Sequence, residues 1–429
     1  MTETAARAKP SMDPALAARA AALDVLDAAL GRRGGLEEAL NSGAAGRLIP
    51  VDRGFARALV MAALRHLGPI DHALAPRLKR EPPGPVRGLL RLGLAQLYYL
   101  DVPDFAAVDT TVALAPKPLR GLVNAVLRGQ QREGPPSADP ELLAPPWLFA
   151  RWRAAYGETA ALAIAARIAE EPAADLTPRA PLDPATIEAL DAEVLPGGTV
   201  RTCQRGEITA WAGFADGAWW VQDAAAALPA RLLACAPGET ALDMCAAPGG
   251  KTFQLAAAGA AVVALDKSAA RLRRVEESLT RLGLTTEVIA ADAATWSDGR
   301  SFDAVLLDAP CSSTGAFRRH PDVLWNARPG DIASLAGVQA ALLASAARRV
   351  KRGGRLVYSV CSLEPEEGEA QVRAFLAAQP DFALDPFRPN EAGAPAASLA
   401  AEGWLRILPH HLEGGLDGFF IARFRRTVD

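Results

Sequence analysis

The chain has 429 residues, of which 50% are hydrophobic and 22% are charged, with a formal net charge of −3. This length exceeds one ordinary hydrophobic core, so we expect several domains. The charge balance excludes a polycation that holds nucleic acid through its overall electrostatic field. The sequence contains no uncharged apolar run of about 18 residues, so it predicts no membrane span. Any nucleic-acid binding must therefore come from local basic surfaces.

The N-terminal part predicts a helical domain. Residues 1–13 are polar and Ala-rich without the apolar core of a secretion signal, so we expect a disordered tail on a cytoplasmic protein. In residues 14–132, apolar side chains recur at three- and four-residue spacing, which predicts a helical bundle with Leu89–Leu100 as its buried central helix. In its last helix, Arg120 and Arg128 either face RNA or lie on a solvated surface, as isolated helical arginines commonly do.

The middle of the chain predicts a linker and a small mixed segment. Residues 133–146 are rich in proline and form the clearest candidate domain boundary. Residues 147–230 predict a connecting α+β segment that is rich in tryptophan. These rings either pack a small core, which we favour, or stack on bases. They are Trp147, Trp152, Trp211, Trp219 and Trp220.

The last part, residues 231–429, alternates short apolar runs with helical patterns. This rhythm predicts a Rossmann-like, doubly wound sheet of seven strands. A helix is predicted over residues 271–284, with Gly283 near its end. The two strands nearest the C-terminus are expected to form an antiparallel hairpin at the sheet edge. The predicted strands are 240–244, 261–265, 287–291, 304–307, 355–360, 405–408 and 418–424.

An acid, a thiol or both follow each of the first five predicted strands. Open α/β sheets bind ligands at the carboxyl ends of their strands, so we expect these side chains to share one site. A single core cysteine after a strand would be unremarkable, but repeated buried acids on one edge favour a catalytic and cofactor-binding site. The residues are Asp243 and Cys245, Asp266, Asp292, Asp308 and Cys311, and Cys361.

The cysteine pattern argues against a metal site. The chain has five cysteines and no C-x-x-C pair, and an odd count without a secretion signal does not suit a disulfide framework. We therefore expect free thiols and no bound metal.

The loop after the first strand, C-A-A-P-G-G-K-T, is glycine-rich but matches neither a P-loop nor G-x-G-x-x-G. Gly249 and Gly250 allow a ligand to approach the backbone, and the following helix offers its N-terminal amides to a carboxylate. Asp266 ends the next strand, where an acid commonly accepts the hydroxyls of a ribose. Together these features predict an adenosyl ligand with an amino-acid tail, and S-adenosylmethionine fits this description.

Three motifs resemble those of the Sun-family RNA 5-methylcytosine methyltransferases. They are L-D-M-C-A-A-P-G-G-K-T, D-A-P-C-S-S-T-G with R-R-H-P-D, and V-Y-S-V-C-S-L-E-P-E-E. The segments V-Q-D-A-A-A from Val221 and D-G-F-F from Asp417 also match. The resemblance covers nearly the whole chain, because the helical part resembles the NusB-like RNA-binding domain of the RsmB type.

The resemblance implies an enzyme that methylates C5 of a cytosine in 16S ribosomal RNA with S-adenosyl-L-methionine as cofactor. Cys361 falls on the family's nucleophile and Cys311 on its product-release cysteine. Asp308 is expected to bond the base at N3 and its amino group, which favours the charge that develops there. The implied cofactor-binding residues are Cys245, Ala246, Ala247, Pro248, Gly249, Gly250, Lys251, Asp266, Asp292 and Asp308.

Two positions depart from the family pattern. Val360 precedes Cys361 where the family usually has threonine, which removes a hydroxyl beside the nucleophile. The family's Arg-Val-Asn in the middle segment is Arg179-Ala180-Pro181 here, so no substrate contact is carried over to that segment.

The chemistry limits the substrate. C5 and C6 of a paired base are out of reach of such a pocket, so we expect an unpaired or flipped cytosine. We also expect a monomeric enzyme with no membrane partner. Arg318, Arg319 and His320 follow Cys311 and either guide RNA phosphates or form a solvated loop.

Four alternatives stay open from the sequence. An amino-group methyltransferase would need an aromatic residue that D-A-P-C lacks. DNA cytosine methylation would use Cys311 as nucleophile and leave Cys361 idle. A ribosome-assembly or antitermination factor could bind RNA through the helical domain and keep a vestigial enzyme fold. The substrate could also be tRNA or another RNA.

Overall fold

The computed structural model describes residues 13–31 and 35–427. Most of the predicted tail, residues 1–12, lies outside them, but Asp13 caps the first helix by accepting a hydrogen bond from the amide of Ala15 at 2.9 Å. The chain divides into two compact units. The first contains the chain up to Ala150 with the short segments Ile168–Glu170 and His320–Asn326, and the second contains the rest.

The helices in chain order are α1 (Pro14–Leu30), α2 (Leu36–Asn41), α3 (Pro50–Arg65), α4 (Leu67–Leu74), α5 (Val86–Tyr99), α6 (Asp104–Leu114), α7 (Arg120–Glu133), α8 (Pro146–Tyr156), α9 (Glu158–Ala169), α10 (Pro184–Ala189), α11 (Ala224–Leu233), α12 (Gly250–Ala257), α13 (Ala269–Leu282), α14 (Asp322–Asn326), α15 (Pro329–Ala347) and α16 (Glu369–Ala378). The strands are β1 (Ala174–Pro178), β2 (Ala192–Val194), β3 (Val200–Thr202), β4 (Trp219–Val221), β5 (Thr240–Met244), β6 (Ala261–Asp266), β7 (Glu287–Ala290), β8 (Phe302–Asp308), β9 (Val350–Val360), β10 (Phe382–Leu384), β11 (Leu405–Ile407) and β12 (Phe419–Arg426).

The first unit is a helical bundle around α5, as the sequence predicts. Helix α5 contacts α1, α3, α4, α6 and α7, and its Leu90 and Leu94 are completely buried. A helix that is apolar on nearly all sides is stable only inside such a bundle. The segment predicted as a linker, 133–146, lies within this unit, and its Leu143 and Ala144 are buried. The domain boundary there therefore stays a prediction.

The second unit contains a small antiparallel sheet in the order β2-β3-β1-β4. Trp211 and Trp219 pack on its core with their ring centroids 6.3 Å apart, and Trp220 packs edge-on against Phe253 at 5.6 Å. Trp152 is also buried. Packing, rather than base stacking, therefore accounts for these four rings.

The second unit also contains the large predicted sheet. Strands β7, β6, β5, β8 and β9 are parallel neighbours, and β12 and β10 continue the sheet in the antiparallel sense, with β11 pairing to β12 as an eighth strand. The hairpin is not at the sheet edge as predicted, because β12 lies between β9 and β10. Strand β10 has only three residues, too few to show an alternating pattern in the sequence.

The parallel order places the site. Because β5 to β9 run in the same direction, their carboxyl ends meet at one edge, where the predicted acids and thiols follow. Helix α15 is the only one in the described chain long and apolar enough to cross a membrane. Its Leu342, Leu343 and Ala346, however, belong to the apolar core of the sheet, as in a core helix.

Candidate active site

The loop after β5 contains two residues with positive φ, a backbone conformation that few residue types adopt. Gly249 has φ of 110°, and a Cβ there would lie 2.4 Å from the ring of Phe253. Cys245 also has positive φ, at 64°, which is uncommon for a residue with a side chain. The first helical hydrogen bond of α12 runs from the amide of Phe253 to the carbonyl of Gly249, at 2.9 Å. The amides of residues 250–252 thus remain for an anionic group of a ligand.

Asp266 anchors this loop from the end of β6. One carboxylate oxygen accepts from the amide of Ala247 at 3.1 Å, and the other accepts from the amide of Ser268 at 2.9 Å. Each carboxylate oxygen can accept a further hydrogen bond, so Asp266 can also receive the two hydroxyls of a ribose. Asp292 follows β7 on the same edge, is exposed, and accepts from the amide of Ala294 at 2.9 Å.

The pKa values of Asp243, on β5, and of Cys245, the first residue of the loop, are both raised, which favours their neutral forms. Burial raises the pKa of Asp243 to about 7, although one of its oxygens accepts a hydrogen bond from Thr252 at 2.6 Å. The other oxygen has no hydrogen-bond partner among the described residues. Burial likewise raises the pKa of the Cys245 thiol to about 12, which favours its neutral form.

Asp308, at the end of β8, is held from two sides. Lys251 Nζ lies 2.6 Å from Oδ2, and the hydroxyl of Ser359 on β9 donates to Oδ1 at 2.8 Å. The amine of Lys251 also lies 5.4 Å from the centre of the Phe419 ring. The contacts with Lys251 and Ser359 fix the carboxylate of Asp308 between the loop after β5 and the strand that leads to Cys361.

The structure brings the two predicted catalytic cysteines together. The Sγ atoms of Cys311 and Cys361 lie 3.5 Å apart, and Ser313 Oγ lies 3.7 Å from Cys361 Sγ. The pKa of Cys311 is raised well above its ordinary value, first by its hydrogen bond to Cys361 and then by burial. Contact with the second thiol and burial thus both favour the neutral form of Cys311.

A buried carboxylate that the sequence reasoning did not single out joins the two cysteine loops. Glu367 is fully buried and accepts hydrogen bonds from the amide of Ser312, at 2.9 Å, and from the hydroxyls of Ser312 and Ser362. These serines directly follow Cys311 and Cys361. The E-P-E-E run in the third motif contains this residue, but an acid in a charged run gives no sign of burial.

Arg318 and Arg319 do not form the solvated or RNA-facing loop considered from the sequence. Arg318 is buried, and its Nη1 lies 3.6 Å from a carboxylate oxygen of Asp223. Arg319 lies 2.8 Å from Asp223, 3.5 Å from Asp175 and 3.8 Å from Asp417. Protein carboxylates thus take up both charges, so we do not carry these arginines forward as phosphate contacts. The two outlying motif segments, from Val221 and from Asp417, meet in this cluster.

The remaining candidate RNA contacts lie in the first unit. Arg120 is exposed and donates to the carbonyls of Ala113 and Ala115. Arg128 is half-buried and donates to Gln131 at 3.0 Å. His320 is also half-buried. RNA binding by these three residues stays a prediction.

Val360, which stands where the family usually has threonine, packs in the apolar core and not beside the Cys361 thiol. Val360 is completely buried, pairs with Phe420 of β12, and belongs to the apolar core. The polar neighbour of Cys361 is instead Ser313, from the loop after β8.

The sheet order and the ligand-binding edge define a Rossmann-like methyltransferase, preceded by a helical domain. Residues 230–425 match the family described as 16S rRNA methyltransferase RsmB/F, and residues 16–132 match the NusB family. The chain belongs to the 16S rRNA methyltransferase RsmB/F family.

Similar proteins span nearly the whole chain. "Ribosomal RNA small subunit methyltransferase B" of Xanthomonas campestris is 37% identical, covering 95% of this chain and 96% of that protein. The protein of the same name from Pseudomonas putida is 38% identical, covering 96% and 98%. Among solved structures, that of PH0851 has a TM-score of 0.77 at 25% identity, covering 98% of this chain and 100% of its own. A methyltransferase homologue from Pyrococcus horikoshii has a TM-score of 0.55 at 29% identity, covering 65% and 94%.

Proposed function

We propose that this enzyme methylates C5 of a cytosine in 16S ribosomal RNA through a covalent bond between Cys361 and C6. The observation that carries the proposal is the pair of thiols 3.5 Å apart, at the sheet edge that also holds Asp308 and the loop after β5. A structural cysteine has no need of a second thiol and a paired acid at a ligand-binding edge.

S-adenosylmethionine fits the residues at this edge. The first-turn amides of α12 suit its carboxylate, and Asp266 suits the two ribose hydroxyls. The loop from Cys245 to Lys251, with Asp292 and Asp308, completes the set that would hold it. When bound, the cofactor supplies an electrophilic methyl group.

The first step is nucleophilic addition. Cytosine C5 is a poor nucleophile, and attack of the Cys361 thiolate on C6 makes C5 enamine-like. Asp308 bonds N3 and the exocyclic amine of the base: one carboxyl oxygen accepts from the amine, and a proton shared between the other oxygen and N3 offsets the negative charge that the addition places on N3. Lys251 and Ser359 keep the Asp308 carboxylate in place for this contact.

The last step is elimination. Cys311 removes the proton from C5, and the electron pair of that bond restores the ring as Cys361 leaves C6. In the free enzyme, the hydrogen bond between the two sulfur atoms raises the pKa of Cys311. Addition converts Cys361 into a thioether and removes this interaction, so Cys311 can release its own proton to solvent and then accept the C5 proton as a thiolate.

The proposal is tested by product analysis. Purified enzyme is incubated with 16S ribosomal RNA and S-adenosylmethionine labelled in its methyl group, and the RNA is digested to nucleosides. We expect the label in 5-methylcytidine. Label in an N-methylated or 2′-O-methylated nucleoside would contradict the proposal, as would label incorporated into tRNA but not into 16S RNA. Mapping methylated cytosines in ribosomal RNA from a strain that lacks the gene identifies the position.

A further inference from the structure

A cavity in the second unit has neither cysteine of the pair among its lining residues. It has a volume of about 520 Å³ and lies between the small sheet and helices α11 and α12. This volume falls within the range of roughly 300–1,000 Å³ found for ligand pockets. Gln254, Leu255, Ala257 and Ala258 of α12 line the cavity, whereas Lys251 of the candidate active site lies in the first turn of that helix. At 1.5 Å per residue, Lys251 and Gln254 are about 5 Å apart along the helix axis.

The lining carries positive charge without a compensating acid. Arg179 and Arg231 line the cavity, and no aspartate or glutamate is among its described lining residues. Arg231 donates to the hydroxyl of Thr199 at 2.9 Å, and burial lowers its pKa to about 10. Arg179 donates to the carbonyl of Leu282 at 2.6 Å. A partly buried guanidinium without a carboxylate partner is costly, and an anion would relieve that cost.

We propose that this cavity binds a phosphate group of a nucleotide. Arg231 and Arg179 provide the charge, and guanidinium groups match phosphate oxygens in geometry. The apolar remainder of the lining, which includes Leu182, Ile187 and Trp220, accommodates the sugar or the base. Both an RNA strand and a free nucleotide carry this group, and only the first source rests on the function proposed above.

Calorimetric titration tests the site without any methyl transfer. Inorganic phosphate, cytidine 5′-monophosphate and a short oligoribonucleotide are each titrated into the full chain and into Arg231→Gln. Glutamine can still donate to Thr199 but lacks the charge, so we expect affinity to fall about 10-fold or more, which is the effect of losing a charged hydrogen bond of roughly 1.5–3 kcal/mol. Arg273→Gln, an exposed arginine on α13, is the matched control and should bind as the wild type does.

The outcomes are distinct. Binding of phosphate and of the mononucleotide indicates a free nucleotide, whereas binding of the oligonucleotide alone indicates an RNA strand. No binding of any probe, or equal binding by the wild type and Arg231→Gln, overturns the proposal. These results do not depend on methylation, so a failure here leaves the proposed reaction untouched.

Arg179→Gln provides a second test that loss of folding cannot explain. Arg179 is exposed, so the variant should fold and should melt near the wild-type temperature. We expect it to bind the same probe several-fold more weakly, because it lacks one of the two charges of the cavity. Unchanged affinity in a folded Arg179→Gln protein would show that this guanidinium has no role in a ligand site and would refute this part of the proposal.

Discussion

Cys311 and Cys361 are 50 residues apart in the sequence, yet their sulfur atoms lie 3.5 Å from each other. The parallel pairing of β8 with β9, in which Asp308 lies opposite Ser359, brings the two following loops together. The proximity raises the pKa of Cys311, and the proposed function gives the two thiols different roles.

Because the thiols differ, their alanine variants should fail in different ways. Cys361→Ala should form no covalent adduct with RNA and should not methylate. Cys311→Ala should attack and methylate, then stall as a protein–RNA complex that survives a denaturing gel. Cys203→Ala, which removes an exposed cysteine, is the control and should turn over normally. An adduct that accumulates in Cys361→Ala instead would reverse the two roles.

Asp266→Asn should weaken binding of S-adenosylmethionine. The amide can still accept one hydrogen bond but loses the charge, so we expect an affinity loss of about 10- to 100-fold, as for a charged hydrogen bond of roughly 1.5–3 kcal/mol. Isothermal calorimetry measures it. Glu277→Gln, an exposed acid on α13, is the control. Equal affinities for Asp266→Asn and the wild type would remove Asp266 from the cofactor site.

Glu367→Gln should slow catalysis more than it weakens cofactor binding. Glutamine supplies one acceptor where the carboxylate receives hydrogen bonds from both cysteine loops, so the thiols lose their fixed separation. We expect kcat to fall at least 10-fold, and the free energy of unfolding to fall by about 1–3 kcal/mol. Glu366→Gln, a half-exposed neighbour, should keep most activity. A lowered stability with wild-type kcat at a temperature where the protein is folded would restrict Glu367 to a structural role.

The free energy of unfolding should depend on pH through the titration of Asp243. Its pKa is about 7 in the folded protein against an ordinary value of 3.8, so the folded state binds the proton more tightly. Stability from this group is therefore complete below about pH 4 and is lost as the pH rises to 7, by up to about 4 kcal/mol. Asp243→Asn does not titrate, so its stability relative to the wild type should increase over this range in denaturant unfolding. Parallel pH profiles for the two proteins would argue against a raised pKa.

The sequence predicted the parts of the fold whose patterns are local. Strand Thr240–Met244 was predicted to the residue, and Gly283 ends α13 in the left-handed conformation. The cysteine pair and the loop acids could be located because parallel strands must present their carboxyl ends at one edge.

The rest depends on contacts between distant segments. Arg318 and Arg319 form part of a charged run in the sequence, and only the fold reveals that Asp223 and Asp417 meet them. The burial of Glu367 follows from two serines in separate loops. The inner position of β12 follows from the short strand β10, which carries no pattern of its own.

The position of β12 has a consequence for how the enzyme is made. It is the last strand in the sequence, and it hydrogen-bonds along β9, the strand that ends beside Cys361. Synthesis proceeds from the N-terminus, so every other strand of the large sheet leaves the ribosome before β12 does. Until residues 419–426 emerge, β9 has one open edge, which is a template for pairing with another chain. The strand that leads to Cys361 is thus enclosed only when translation of the large sheet is complete.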